Sequence, residues 1–79
     1  MKLPRDLSGE RLVARLCGQW GYRRVHQEGS HIVVETSEPS HQRIAVPAHT
    51  ALRIGTLNSI LRAVSRHKRV NREDILKTL

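Results

Sequence analysis

Strand-forming segments occupy the middle of this 79-residue chain and helix-forming segments occupy both ends, and this separation limits the fold more than any other feature. Ile32, Val33 and Val34 form a β-branched run directly after a Glu-Gly-Ser turn signal. Helices that precede and follow a run of strands are typical of an α+β domain, in which helices cover one face of a small antiparallel sheet. At this length we expect a single domain over residues 1–79. The predicted strands span 22–27, 31–35 and 43–46.

Amphipathic patterns predict the helices that cover the sheet. Ser8 is a suitable N-cap for the first helix, and Gly21 is a suitable stop. A second helix is predicted to begin near residues 55–56 and a third, short helix at the cap residue Asn71. We expect the basic residues 66–69 to connect these two helices. The apolar residues predicted to face the core are Leu12, Val13, Leu16, Cys17, Trp20, Ile32, Val34, Ile44, Val46, Leu57, Ile60, Leu61 and Val64.

The chain is strongly basic, with 14 Lys and Arg residues, seven Asp and Glu residues and a net charge of +7. The excess lies in residues 1–28 and 51–79, whereas the middle of the chain is nearly neutral. An isoelectric point near 11.1 is typical of proteins that bind nucleic acid. Trp20 and Tyr22 are the only aromatic residues, which disfavours readers that stack single-stranded bases on a sheet. No segment resembles a membrane span or a signal peptide, so we expect a cytoplasmic protein.

The residue types argue against a metal or cofactor site. A single cysteine, Cys17, excludes an internal disulfide and any zinc site that needs two cysteines. His26, His31 and His41 lack helical spacing, and no Asp or Glu pair accompanies them. Cys17 itself lies in an apolar stripe, where a free cysteine is typically a small buried hydrophobe. We therefore expect no metal and no small-molecule cofactor.

Among the five histidines, His31 is the strongest candidate for chemistry, because it follows the Gly29-Ser30 turn and opens a strand. An imidazole at a sheet edge is able to hold and release a proton near neutral pH while nearby N–H groups bind phosphate oxygens. The pattern alone also fits a strand histidine with no task. His49, in the loop after the third strand, alone fits a residue that hydrogen-bonds the backbone. The remaining histidines, assigned to the solvated surface or to phosphate contact, are His26, His41 and His67.

Four segments together resemble the HicA toxin family of small mRNA interferases. They are Gly21-Tyr22, Gly29-Ser30-His31, Val46-Pro47-Ala48-His49 and the run from Gly55-Thr56 to Arg62. Their order and spacing are similar to those of the family over roughly residues 7–64. Glu28 departs from the family pattern, because it places a negative charge beside the turn, where the family tends to be basic or neutral.

The resemblance implies a fold similar to the double-stranded-RNA-binding domain: helix, three-stranded antiparallel sheet and helix, here with a short C-terminal helix. It implies an endoribonuclease toxin that cleaves mRNA and inhibits translation and growth. The histidine of the Gly-Ser-His turn is essential in the family, and this role maps onto His31. The resemblance also implies a HicB-type antitoxin as the protein partner that covers the active site.

We expect metal-independent cleavage in which the 2′-hydroxyl of RNA is the nucleophile and His31 is the general base or the general acid. Gly29 and Ser30 are expected to donate hydrogen bonds to the phosphate, and Arg24 or Arg43 to supply positive charge. Two further alternatives stay open: a non-catalytic double-stranded-RNA-binding module, and an adaptor that docks an acidic protein. The candidate RNA-binding residues are Gly29, Ser30, Arg24, Arg43, His49, Gly55 and Thr56, of which His49 is also a candidate complementary acid or base.

Overall fold

A computed structural model describes residues 3–79 of the chain. Met1 and Lys2, which the predicted domain includes, lie outside the described residues. The elements are α1 (Gly9–Gln19), β1 (Arg23–Glu28), β2 (His31–Thr36), β3 (Gln42–Pro47), α2 (Ile54–Lys68) and α3 (Arg72–Leu76). A small α+β domain with a three-stranded antiparallel sheet and helices is therefore confirmed.

The central strand of the sheet is β2, which pairs antiparallel with β1 on one side and with β3 on the other. The register of β1 against β2 shifts between Arg24 and His26, so that Val25 is the extra residue of a β-bulge. On one side of the bulge Arg24 lies opposite Val34, and on the other side His26 lies opposite Val33. Since facing residues share a face of the sheet, Arg24 lies on the inner face and His26 on the outer face.

The inner face of the sheet packs against the helices and forms the core. Ile32, Val34 and Val46 are fully buried there, as predicted, and Ile44 packs against them at the edge. Val33 points to the outer face but is only 8% exposed, because β2 has a paired strand on each side. The helices supply the other fully buried side chains, Leu12, Leu16, Leu57, Leu61, Val64 and Ile75.

The start of α1 is packed tightly against the chain that leaves β3. Ser8 caps the helix and Gly21, with a φ of 74°, follows its end, both as predicted. A Cβ atom placed on Gly9 would lie 1.9 Å from the carbonyl oxygen of Pro47. The N–H of Gly9 also donates a hydrogen bond of 3.0 Å to the carbonyl of His49. Only glycine allows this close approach of the two backbones.

The second helix runs further than the sequence predicts. Residues 66–68 form its last turn, and Arg69, with a φ of 57°, ends it, so the prediction of a connector at 66–69 is wrong. The physical reason is that basic side chains stabilise the C-terminal end of a helix through its dipole. Asn71 then caps α3 together with Asp74, as predicted.

Polar side chains fasten the end of α2 to the sheet. The Tyr22 hydroxyl donates a hydrogen bond to Gln42, whose side-chain amide donates to the carbonyl of Ala63 at 3.1 Å. The ammonium group of Lys68 donates to Thr36 Oγ1 at 2.9 Å and lies 4.9 Å from the centre of the Tyr22 ring. Burial raises the pKa of Tyr22 to about 12 and lowers the pKa of Lys68.

Candidate active site

Polar side chains gather at the two ends of the outer face of the sheet. Glu35 follows His31 by four positions along β2, which is a distance of about 13 Å at roughly 3.3 Å per residue. We name these regions the His31 end and the Glu35 end. The His31 end comprises His26, Glu28, Gly29, Ser30, His31 and Pro47, and the Glu35 end comprises Arg23, Glu35, His41 and Arg43.

The His31 end brings together two of the segments that carry the HicA resemblance. His31 is exposed at the first position of β2, directly after the turn formed by Gly29 and Ser30. Gly29 has a φ of 56°, a conformation that glycine adopts without strain. The N–H of Ala48 donates a hydrogen bond of 2.6 Å to the carbonyl of Ser30, which joins the Gly-Ser-His turn to the Val-Pro-Ala-His segment.

His49 follows this contact by one residue and is exposed. Its carbonyl accepts the hydrogen bond from Gly9, which fixes the backbone of the segment against α1. Pro47, two residues earlier, is the register partner of His31 on β3. The structure therefore places the backbone of His49 close to the His31 end.

Glu28 is the register partner of His31 on β1 and lies on the same face. Its carboxylate oxygen Oε1 is 3.5 Å from Nε2 of His26, a second exposed imidazole on this face. Sequence reasoning assigned His26 only to the surface or to phosphate contact. His26 and Glu28 are two residues apart on a strand, and this spacing indicates that their side chains share a face of the sheet. Which face they share depends on the bulge, which the sequence does not indicate.

The Glu35 end is a closed ion-pair network. The carboxylate of Glu35 lies 3.0 Å from Arg43 Nη2, 3.1 Å from His41 Nε2 and 3.3 Å from Arg23 Nη2. Hydrogen bonds from His41, Arg43 and Arg23 lower the pKa of Glu35 to about 2. Arg43, a candidate phosphate-binding residue, thus lies at this end and is paired there.

The other candidate RNA-binding residues lie on different elements from His31. Arg24 is on the inner face, where its Nη1 atom forms an ion pair of 2.9 Å with Glu10 of α1. Gly55 and Thr56 lie in the first turn of α2, as predicted, and Gly55 is exposed. No side chain caps that turn, so its N–H groups are not bound by a capping residue.

Residues 3–79 form neither a metal-binding cluster nor a membrane-spanning helix. No group of three histidine, cysteine or acidic residues in this part of the chain comes together in a way that could hold a metal ion. No helix in the same part of the chain has the length and apolar character that crossing a membrane requires. Cys17 packs against the core, and burial raises the pKa of its thiol.

No protein-family model, curated protein or solved structure matches this chain. The resemblance to the HicA family therefore rests on the four sequence segments alone. What the fold itself establishes is a small α+β domain with an exposed sheet face and an imidazole at the edge of its first hairpin turn.

Proposed function

We propose that this chain is a HicA-type endoribonuclease toxin whose active site is the His31 end of the open sheet face. One observation carries the proposal. The exposed imidazole of His31 stands beside the Gly29-Ser30 turn, and that turn is hydrogen-bonded to the Val-Pro-Ala-His segment at 2.6 Å. Two separate parts of the family resemblance thus contribute to one small surface, although Val46 follows Ser30 by 16 positions in the sequence.

Cleavage of RNA through its own 2′-hydroxyl requires few groups from the protein. The 2′-hydroxyl of the substrate is the nucleophile, so the protein needs to move protons and to stabilise charge on the phosphate. His31 supplies the proton transfer in the proposal. The backbone of the Gly29-Ser30 turn and the hydroxyl of Ser30 supply donors to the phosphate oxygens. The proposed reaction is metal-independent and uses no cofactor.

The element order supports a fold similar to the double-stranded-RNA-binding domain. A helix is followed by three antiparallel strands in sequential order and by a second, longer helix. In the proposal, α3 is a short addition to that arrangement.

Unpaired basic residues on the helices support a polyanionic substrate. Arg11 and Arg15 of α1, and Arg62 and Arg66 of α2, are exposed and form no ion pair within residues 3–79. Each pair is spaced by four residues, which places both guanidinium groups on one face of its helix. Charges of this kind draw RNA to the protein without reading its sequence. In the proposal, mRNA is the substrate, a HicB-type antitoxin covers the site, and the protein acts in the cytoplasm.

Cleavage of RNA by purified protein in the presence of a chelator tests the proposal, with His31→Ala as the decisive variant. We expect His31→Ala to cleave roughly 10²–10⁴-fold more slowly, the range typical of a lost general acid or base. His41→Ala is the matched control, because it removes an exposed imidazole from the same face at the Glu35 end. A folded His31→Ala protein that cleaves as fast as wild type would overturn the proposal.

The four unpaired helix arginines also favour a second candidate function, a non-catalytic double-stranded-RNA-binding module. In that function His31 does no more than touch phosphate. The same incubation separates the two functions: a wild-type protein that protects RNA and never cuts it is a binder. Induction in cells adds a second measurement, since the nuclease is expected to arrest growth and His31→Ala to relieve the arrest.

A further inference from the structure

We infer that His26 is the second proton-transfer group of the ribonuclease site, and that Glu28 is the positioning residue that holds its ring. The inference rests on the proposed function and identifies the partner of His31. Three observations carry it: the bulge in β1, the 3.5 Å contact between the side chains of His26 and Glu28, and the register that brings both residues beside His31.

The bulge puts His26 on the face that carries His31. Strict alternation from Arg24, which is on the inner face, would return His26 to the inner face as well. The extra residue Val25 shifts the register by one, so that His26 lies opposite Val33 on the outer face. Bulges are frequent beside active sites, where they redirect a side chain. Here the redirected side chain is an imidazole.

The register sets a useful distance between the two imidazoles. His31 precedes Val33 by two residues on β2, so His26 and His31 are diagonal neighbours, about 7–8 Å apart at the backbone. Val33, the register partner of His26 and two residues from His31 on the same face, is buried and supplies an apolar side chain beside both imidazoles. In-line attack on a phosphate needs its base and its acid on opposite sides of phosphorus, so two groups separated by such a gap are suitably placed.

Glu28 faces both rings. It is two residues from His26 on the same strand and is the register partner of His31. Its Oε1 atom is 3.5 Å from Nε2 of His26, and no hydrogen bond to either ring nitrogen of His26 forms within residues 3–79. A carboxylate at one ring nitrogen fixes the orientation of an imidazole and leaves the other nitrogen for the substrate.

The other histidines are placed less well for this role. His41 is bound to Glu35, about 13 Å along the sheet from His31. His67 is bound to the carbonyl of Ser40 at 2.8 Å. His49 lies beyond Pro47, after the end of β3, and its ring forms no hydrogen bond within residues 3–79.

The proposed step balances with two imidazoles. One of them removes the proton of the 2′-hydroxyl as the bond from O2′ to phosphorus forms. The other, in its protonated form, gives a proton to O5′ as the bond from phosphorus to O5′ breaks. The products are a 2′,3′-cyclic phosphate and a free 5′-hydroxyl, and the two imidazoles have exchanged protonation states.

The charged and titratable groups that face His26 affect how the cleavage rate depends on pH. Glu28 faces it from its own strand, and His31 and Glu35 face it diagonally from β2. Glu35 is already bound by Arg23, so it does not compete for the ring of His26. We therefore expect the wild-type rate to depend on pH through two imidazoles, with one limb of a bell-shaped profile for each.

The inference is tested by measuring initial cleavage rates between pH 5 and 9 for wild type, His26→Asn and His31→Ala. Each protein is assayed on two RNAs of the same sequence, one with oxygen and one with sulfur at the 5′ bridging position of the cleaved linkage. We expect His26→Asn to lower kcat on the oxygen substrate by about 10²-fold or more, to bind RNA as wild type does and to lose one limb of the profile. A sulfur leaving group needs no proton, so the sulfur substrate should restore the rate of one of the two variants and not of the other. Glu28→Gln should lower kcat by a smaller factor than His26→Asn does and leave KM unchanged. In its pH–rate profile, only the limb that is absent in His26→Asn should shift.

His41→Asn is the matched control, since it also removes an exposed imidazole that is paired with a glutamate. Its kcat should stay within about twofold of wild type. A second substitution, His26→Gln, should lower kcat in the same way as His26→Asn. The unfolding midpoint of each variant is measured to separate a loss of cleavage rate from a loss of folding. A folded His26→Asn protein with wild-type kcat, or sulfur rescue of neither variant, would overturn the inference while leaving His31 in its role. A wild-type protein that cleaves no RNA would overturn the proposed function and this inference with it.

Discussion

At the Glu35 end of the sheet one carboxylate is bound by two guanidinium groups and an imidazole, and its side chain is only 13% exposed. At the His31 end one carboxylate, Glu28, has a single partner at 3.5 Å and a side chain that is 80% exposed. A glutamate thus belongs to a closed network with two arginines and a histidine at one end, and to an open cluster with histidines at the other. Groups in a closed network are committed to each other, whereas the imidazoles of the open cluster stay available to a substrate.

The two ends are also fastened to the helices differently. Beneath the Glu35 end, side chains reach α2 through Tyr22, Gln42 and Lys68. The His31 end is fastened through the backbone, by the bond from Ala48 to Ser30 and the bond from Gly9 to His49. Backbone contacts leave the side chains of the turn free for chemistry, but they tolerate little change in the distance between segments.

Gly9→Ala is expected to have the largest effect and to damage the His31 end first. The added Cβ would lie 1.9 Å from the carbonyl oxygen of Pro47 and 2.9 Å from its carbon, and backbone atoms cannot move aside cheaply. We expect a loss of about 3 kcal/mol in the free energy of unfolding, measured by urea denaturation. RNA cleavage by the folded fraction should also fall, because the segment after β3 must shift away from the turn.

Gly18→Ala is the matched control in the same helix. A Cβ at Gly18 meets nothing within 4 Å, so alanine should stabilise α1 by about 0.5–1 kcal/mol. If Gly9→Ala were as stable as Gly18→Ala, the backbone contact would not be what holds the His31 end in place.

Much of the fold was predictable because local signals determine it. The caps Ser8 and Asn71 and the stop at Gly21 follow from the hydrogen-bonding needs of helix ends. The end of α2 was not predictable in the same way. A basic run is compatible with a loop and with a last helical turn, and Arg69 ends the helix in a left-handed conformation that its residue type does not indicate.

The sequence segments that form the candidate site were predictable, but which of their side chains share a face of the sheet was not. Turn chemistry placed His31 at the start of a strand, and the structure agrees. The sequence could not show that Arg24 lies on the inner face while His26 lies on the outer face, because the bulge at Val25 between them is a tertiary feature. The same bulge explains why His26 was assigned only to the surface or to phosphate contact.

Tyr22→Phe tests the side-chain fastening beneath the Glu35 end and is expected to have an intermediate effect. Losing the hydrogen bond to Gln42 should cost about 1 kcal/mol at neutral pH. The pKa of Tyr22 is raised from 10 to about 12, so the unfolded chain ionises first and wild-type stability should fall between pH 10 and 12. Tyr22→Phe should lack this fall. The lowered pKa of Lys68 gives a slope of opposite sign that both proteins share.

The chain has one tyrosine, so the absorbance of the phenolate follows Tyr22 directly. We expect the folded protein to ionise near pH 12 and the urea-unfolded protein near pH 10. Equal titration midpoints in the two states would show that this hydroxyl is not held by the fold, and the distinction between side-chain and backbone fastening would then fail.

Glu35→Gln is expected to change stability least and to sharpen the contrast between the two ends. The pKa of Glu35 is lowered from 4.5 to about 2 by His41, Arg43 and Arg23, so its stabilisation is present above pH 4.5 and is lost as the pH falls towards 2. Wild type should therefore exceed Glu35→Gln slightly in unfolding midpoint at pH 7, and the difference should vanish near pH 2. The side chains of Arg23 and Arg43 are 74% and 56% exposed, so solvent screens these pairs and the effect is small.

Glu35→Gln also removes the carboxylate that pairs with Arg23 and Arg43 on the outer face of the sheet. The salt dependence of RNA affinity should show whether these two arginines then bind phosphate. If Arg23 and Arg43 then bind phosphate, the slope of log affinity against log salt should steepen by about 0.7 for each contact to single-stranded RNA. Glu73→Gln, on α3, makes the same charge change away from the sheet and should leave the slope unchanged. Equal slopes for the two variants would mean that the arginines of the Glu35 end stay clear of the RNA, so that only the His31 end and the helices contact it.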